Sequence, residues 1–275
     1  MPFVENSGAR ICWDEQGSGA PLLLIAGFGW SSSAWHRARP ILSKRYRTIA
    51  INNRDVSESG ALPGASSVAQ MASDAAAILT AARVNTAHIF AFAMGGMIAL
   101  EFALLYPKKV RSLILGGTSL GGPRAVPADP SAAKVIASRD SNFDKWFSAL
   151  IPFIYDVGTP QQRIQEDLSA VHKSAASKQA YEAQLQAMAT WEADSRLAQV
   201  NAPTLVIHGE RDRIVPAENA SLIAEAIPGA KLIIIPRAGH MFMTDQPEAA
   251  HTALLEFLSA QATRQSERAS AVLER

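Results

Sequence analysis

Three stretches of this 275-residue chain carry groups suited to nucleophilic catalysis, and they come in a telling order. The first is Ala91-Phe92-Ala93-Met94-Gly95-Gly96, between the apolar run Ala87-His88-Ile89-Phe90 and a helix-like segment over residues 97–106. That is the strand, sharp turn, helix setting of a nucleophile elbow, whose pattern is Gly-x-Ser-x-Gly. Ala91 and Gly95 are small, as the strained turn requires, but the central position, where a serine hydroxyl would be held out for attack, is Ala93. The second stretch, His208-Gly209-Glu210-Arg211-Asp212-Arg213-Ile214-Val215-Pro216, places Asp212 on a loop at the carboxyl end of a strand, where ligand sites of open α/β sheets lie. The third, Pro236-Arg237-Ala238-Gly239-His240, follows the next strand. One helix and one strand separate Asp212 from His240, so both side chains emerge at the same edge of the sheet. Nucleophile position, acid and histidine therefore follow one another along the chain, with the nucleophile's hydroxyl missing.

The elements that must hold these groups are legible from periodicity. Phe3-Val4-Glu5-Asn6 and Arg10-Ile11-Cys12-Trp13 flank the turn signal Ser7-Gly8 and predict a β-hairpin. Pro21-Leu22-Leu23-Leu24-Ile25 is a continuous apolar run, as expected of a strand covered on both faces. A helix capped by Ser31-Ser32-Ser33 is expected to run to about Lys44, then a strand over 46–51 and a turn-rich loop, Asn52-Asn53-Arg54-Asp55-Val56-Ser57-Glu58-Ser59-Gly60. An alanine-rich helix over 68–82 and strands over 86–90 and 110–115 continue the alternation. The rhythm resumes with strands over 203–207 and 231–235, helices over 218–227 and from 247 to about 260, and a charged tail over 263–275 that either extends the last helix or frays. This is an α/β pattern: a mostly parallel central sheet with helices on both faces.

Between them, residues 123–198 show helical periods at 132–137, 142–150, 161–173 and 178–191 with no strand. The domain organisation expected is a core of residues 1–122 and 199–275 with an all-helical lid, 123–198, inserted into it.

Composition narrows the function classes. Hydrophobic residues make up 48% and charged residues 19%, suited to a globular chain with a buried core. Lys plus Arg at 26 against Asp plus Glu at 25 gives a net charge of +1, so no global field recruits nucleic acid or an anionic membrane. Cys12 is the only cysteine, which excludes an intramolecular disulfide and reads as a buried thiol. The first residues lack a basic stretch followed by an apolar core, and no run reaches the roughly 18 residues of a membrane span, so a cytoplasmic location is expected. The expected partner is a small substrate of apolar character, with neither nucleic acid nor membrane; a homodimer is left open.

The chain resembles proteins of the α/β-hydrolase fold, in the esterase, lactonase and cofactor-free haloperoxidase branch. The resemblance covers nearly the whole chain, with least support over 123–198. It rests on residues 91–96 against the elbow, on His208-Gly209-x-x-Asp212-x-x-Val215-Pro216 against the acid loop, on Gly239-His240 against the histidine loop, and on residues 52–59 against the arginine-containing loop after the fourth strand. It implies that His240 is the base and Asp212 its orienter, and that the backbone amides of Phe28 and Met94 form an oxyanion hole. Some relatives take the acid from the loop after strand six, but Gly116-Gly117-Thr118-Ser119 there holds no carboxylate. No metal or organic cofactor is implied.

Two readings of Ala93 follow. In the favoured one the chain is a serine-type hydrolase of a carboxylic ester or lactone, carried as a serine-to-alanine form. In the other it is a non-hydrolytic lyase, cyclase or ligand-binding protein using His240 and Asp212. Trp30, Trp146, Phe153 and Trp191 are the candidates for lining an apolar pocket. His36, His88, His172 and His251 read as structural, and His208 as a packing residue of its turn. No His-x-x-x-His occurs, and Glu248-Ala249-Ala250-His251 has no second pair to share a metal with. Arg54 and Asp55 read as a structural loop network rather than a catalytic pair.

Overall fold

In the computed structural model the described residues are 1–54, 56–60, 66–139, 142–172 and 176–273, with side chains described up to residue 263. Asp55 of the arginine loop, Lys173 at the end of an expected helix, and residues 274–275 of the tail lie outside them.

Eight strands form one sheet in the order β1-β2-β4-β3-β5-β6-β7-β8: β1 (Phe3–Asn6), β2 (Ala9–Gln16), β3 (Ala20–Ile25), β4 (Tyr46–Ile51), β5 (Ala87–Phe92), β6 (Val110–Gly116), β7 (Thr204–Gly209) and β8 (Lys231–Ile235). β1 pairs antiparallel with β2 and β2 with β4; all other pairs are parallel. The predicted class is met. The apolar run of β3 shows why it must lie inside: Leu23 and Ile25 join one core cluster while Leu22 and Leu24 join the cluster on the opposite face. With period two, such a strand buries both faces, and a fully buried Leu contributes about 1.5–3 kcal/mol relative to exposure.

Helices cover both faces. Residues of α2 (Val68–Ala81), α3 (Met94–Leu105) and α8 (Glu218–Ala226) pack into the first cluster. Those of α1 (Arg39–Leu42), α9 (Phe242–Asp245) and α10 (Pro247–Leu273) pack into the second. Between β6 and β7 come α4 (Pro130–Ala137), α5 (Phe143–Ile154), α6 (Gln161–Val171) and α7 (Lys178–Ala189). α5 and α6 share a third cluster, which Met241 also enters from the core.

One element expectation needs correction. The single helix expected from Ser31 to Lys44 is a 3₁₀ turn, Ser32–Trp35, capped by the Ser31 hydroxyl, followed by the four-residue α1. Pro40 lies in the first turn of α1, where its missing N–H is tolerated, whereas a continuous helix would have needed that donor. The tail takes the first of its two expected courses: the last helix continues through it to Leu273.

The arginine loop is structural. Arg54, 1% exposed at its side chain, donates from Nε and Nη2 to the two carboxylate oxygens of Asp74 in α2 at 2.6 and 2.9 Å, and from Nη2 to the Asn6 carbonyl at 3.0 Å. Asp74→Ala leaves this buried guanidinium uncompensated and is expected to destabilise the fold by about 3–5 kcal/mol, read from urea unfolding.

The sheet order reverses at β3. The chain moves from β3 to β4 on one side, then returns to add β5 on the other. The loops after β3 and β5 thus diverge at the carboxyl edge and open a crevice, the place where open α/β sheets bind ligands.

Candidate active site

Ala93 is the turn between β5 and α3, with φ 52° and ψ −120°. A non-glycine residue at positive φ is sterically costly, and such strain persists only where the surroundings hold it. Here the Ala93 amide donates to the Gly116 carbonyl at 2.9 Å, and its carbonyl accepts from the Thr118 hydroxyl at 2.7 Å and the Gly96 amide at 2.9 Å. The small residues beyond it have a matching reason: a β-carbon on Gly95 would run into the Ile25 carbonyl oxygen, and one on Gly96 would sit 2.5 Å from the Thr118 side chain. Gly95→Ala is therefore expected to cost about 1–3 kcal/mol by overpacking, measured as a lowered urea midpoint with an unchanged slope.

Asp212 and His240 meet. The His240 Nδ1 and Asp212 Oδ2 lie 2.7 Å apart. The other carboxylate oxygen accepts the amides of Ile214 and Val215 at 2.9 and 2.8 Å, so the acid loop folds around its own side chain. Asp212 is fully buried at its side chain. Burial pushes its carboxyl up, but the charge of His240, hydrogen bonds from His208 and His240, and the charge of His208 outweigh it and hold the group down at about 2. It is an anion throughout the neutral range. With Nδ1 held by this anion, Nε2 is the ring nitrogen that can handle protons in the cavity that His240 lines.

Two aromatic and histidine contacts were not anticipated. His208, expected only to pack its turn, brings Nε2 within 3.1 Å of Asp212 Oδ2 and 2.7 Å of the Val215 carbonyl, so it braces the acid loop. Phe92 packs its ring on the His240 imidazole, centroids 4.8 Å apart. Its position directly before Ala93 was the available signal, since the residue preceding a strand-end turn sits beside whatever faces that turn.

Ala93, Phe92 and His240 open into one cavity of about 350 Å³. Ala93, His240, Phe28, Met94, Trp30 and Trp146 all line it, together with apolar residues such as Met97, Leu150, Ile154 and Leu185. Trp146, Leu150 and Ile154 recur at i, i+4 and i+8 along α5, so one stripe of that helix forms a wall. Phe153 and Trp191 do not line the cavity. Phe153 falls off the stripe and lies beneath the Arg213 guanidinium, 4.5 Å from its ring centroid. Trp191 follows the end of α7, packs into the first core cluster, and donates its indole N–H to Glu101 Oε2 at 2.8 Å. Aromatic type alone could not distinguish these fates.

The cavity wall carries little charge. Tyr181 lines it, but burial pushes its phenol far above its ordinary value and its hydroxyl donates to the Ile136 carbonyl at 2.8 Å. A neutral, apolar ligand with one polar centre near His240 matches such a wall. Among the described residues, no group of three potential metal ligands gathers, and no helix is long and apolar enough to cross a membrane.

Known proteins are similar to this chain along almost its entire length. A putative carbamate hydrolase, RutD, from Azorhizobium caulinodans is 28% identical over 265 residues, covering 94% of this chain and 98% of its own. A 2-hydroxy-6-oxononadienedioate/2-hydroxy-6-oxononatrienedioate hydrolase from Burkholderia vietnamiensis is 28% identical over 266 residues, covering 92% of each. Among solved structures, a thermophilic esterase from Thermogutta terrifontis superposes with a TM-score of 0.79 at 27% identity, over 94% of this chain and 97% of that one. The model of the alpha/beta hydrolase family matches residues 22–253, and the chain belongs to that family.

Proposed function

We propose that this chain carries the acyl-transfer site of a serine-type hydrolase of carboxylic esters or lactones in a form that lacks the nucleophile's hydroxyl. The observation that carries the reading is the strained Ala93 turn, held open onto the same apolar cavity as the His240–Asp212 pair. An active site of this type needs a nucleophile exposed on a sharp turn, a base beside it, and an acid that fixes the base's tautomer. All but the hydroxyl are supported here. The Phe28 and Met94 amides serve as the oxyanion donors, and because they belong to the main chain they survive the alanine. Residues 123–198 act as the lid that shapes the pocket, with Trp30 and Trp146 as substrate contacts. The hydrolase and esterase names of the relatives support the reaction class.

A second reading is acid–base chemistry without a covalent intermediate, by a lyase or cyclase, or ligand binding alone. What favours it is that the pair is assembled at 2.7 Å, with Asp212 held ionised, although no serine is there to be activated. The test that separates the two is Ala93→Ser against a panel of short aryl esters and lactones. Turnover gained by the serine supports the hydrolase; a substrate that the Ala93 chain converts at a rate the serine does not improve supports the second reading.

A further inference from the structure

His240 is seated as much by the helical insertion as by the sheet. On its N-terminal side, the Gly239 amide donates to Asp245 Oδ2 at 2.6 Å. On its C-terminal side, the Met241 amide donates to the Ile154 carbonyl at the end of α5, at 2.8 Å. The Asp245 carboxylate also accepts the Asp156 amide at 3.2 Å and the Thr159 hydroxyl at 2.5 Å, both from the turn that follows α5. Gly239 permits this approach: a β-carbon there would stand 3.0 Å from the Ile154 carbonyl oxygen and 3.1 Å from the Tyr155 carbonyl carbon. From α6, Arg163 donates to the Thr244 and Asp245 carbonyls at 3.1 and 3.3 Å, fixing the short helix that carries the acid.

Asp245 is 6% exposed, and its side-chain partners are donors from the histidine loop and the insertion rather than a cation, among the described residues. A buried carboxylate that binds three donors fixes their relative positions, because each donor left unpaired in that setting carries a desolvation cost. Two of the three come from the insertion and one from the residue before the base.

We infer that Asp245 is a positioning residue for His240: by joining the Gly239 amide to the turn at Asp156 and Thr159, it makes the insertion part of the seat of the base. The inference rests on the proposed role of His240 as that base. The 2.7 Å contact with Asp212 leaves little room for drift, since a displacement of about 1 Å at a catalytic group can cost about a hundredfold in rate.

The test uses the chain as it stands, with Ala93. The downfield proton resonance of the His240 Nδ1–H is recorded by NMR and assigned by its loss in His240→Ala. In Asp245→Asn, whose amide turns a donor toward groups that are already donors, that resonance is expected to broaden or move upfield. Thr159→Val removes one donor, keeps the carboxylate, and is expected to give a smaller change of the same kind; it carries the test if Asp245→Asn does not fold. In an Ala93→Ser background both substitutions are expected to lower kcat, Asp245→Asn by about tenfold, with KM within about twofold. An unaltered resonance in the folded variants overturns the inference. A resonance that responds supports it even where Ala93→Ser hydrolyses nothing, an outcome that overturns only the proposed function.

Discussion

Ala93→Ser is expected to convert the chain into an esterase or lactonase with a burst of acylation on short aryl esters, its kcat/KM at least about 10³-fold above that of the Ala93 form. The size of the effect follows from how a triad fails. In subtilisin, loss of the nucleophile costs about 2 × 10⁶ in kcat, while binding and the oxyanion hole alone leave about 10³–10⁴ over water. Slow turnover by the Ala93 chain is therefore compatible with the hydrolase reading, and the increment on adding the hydroxyl is the informative quantity. Nothing in the backbone must change for it, because position 93 already holds φ 52° and the hydrogen bonds to Gly116, Thr118 and Gly96 involve only its main chain. The substitution adds one oxygen to a methyl that already faces the cavity His240 lines. No turnover on any ester or lactone by the Ala93→Ser variant, combined with conversion of some substrate by the Ala93 form, would reject the hydrolase in favour of acid–base chemistry.

In that serine background, Asp212→Asn is expected to lower kcat by about 10⁴, as loss of the orienting acid does in serine proteases, because the amide no longer fixes the tautomer or stabilises the imidazolium. His240→Ala is expected to lose at least as much, and the double variant no more than the worse single one, since groups acting as a unit are not additive. An unaffected rate in His240→Ala would remove the base role. Asp212→Asn has a second signature, in stability. A carboxyl held at about 2 against an ordinary 3.8 contributes stability that is present above pH 3.8 and is lost as the pH falls through 2. The variant should therefore be less stable than the parent at pH 7, and the gap should narrow as the pH is lowered through that window, as read by urea unfolding at each pH.

Much of this was legible in the residues. The strands of the sheet, its mostly parallel character and the insertion between β6 and β7 follow from apolar runs of strand length alternating with helical periods, a local signal. Asp212 and His240 were legible for a topological reason: successive parallel strands end at the same edge, so loops following β7 and β8 cannot be far apart. The elbow was legible because its turn admits only small residues at fixed offsets. Less readable was the stretch from Ser31 to Lys44, where capping serines suggested one helix and the chain forms a 3₁₀ turn and a short helix that has Pro40 in its first turn. Phe153 and Trp191 show a different limit. Both are aromatic, Phe153 within a pocket-forming helix and Trp191 just beyond another, yet one lies under Arg213 and the other on Glu101. Which face of a helix meets the cavity depends on how that helix is rotated against the core, and periodicity gives the stripe without its direction.

The sequence by itself determined the order of the Ala93 turn, Asp212 and His240 along the chain and the class of sheet that presents them, because each depends on residue type at short spacing. The tertiary structure alone decided that His208 braces Asp212, that Phe92 packs on His240, and that Asp245 ties the histidine loop to the turn after α5. Those contacts join residues of different elements, and their existence turns on distances of a few tenths of an ångström that only the packed chain defines.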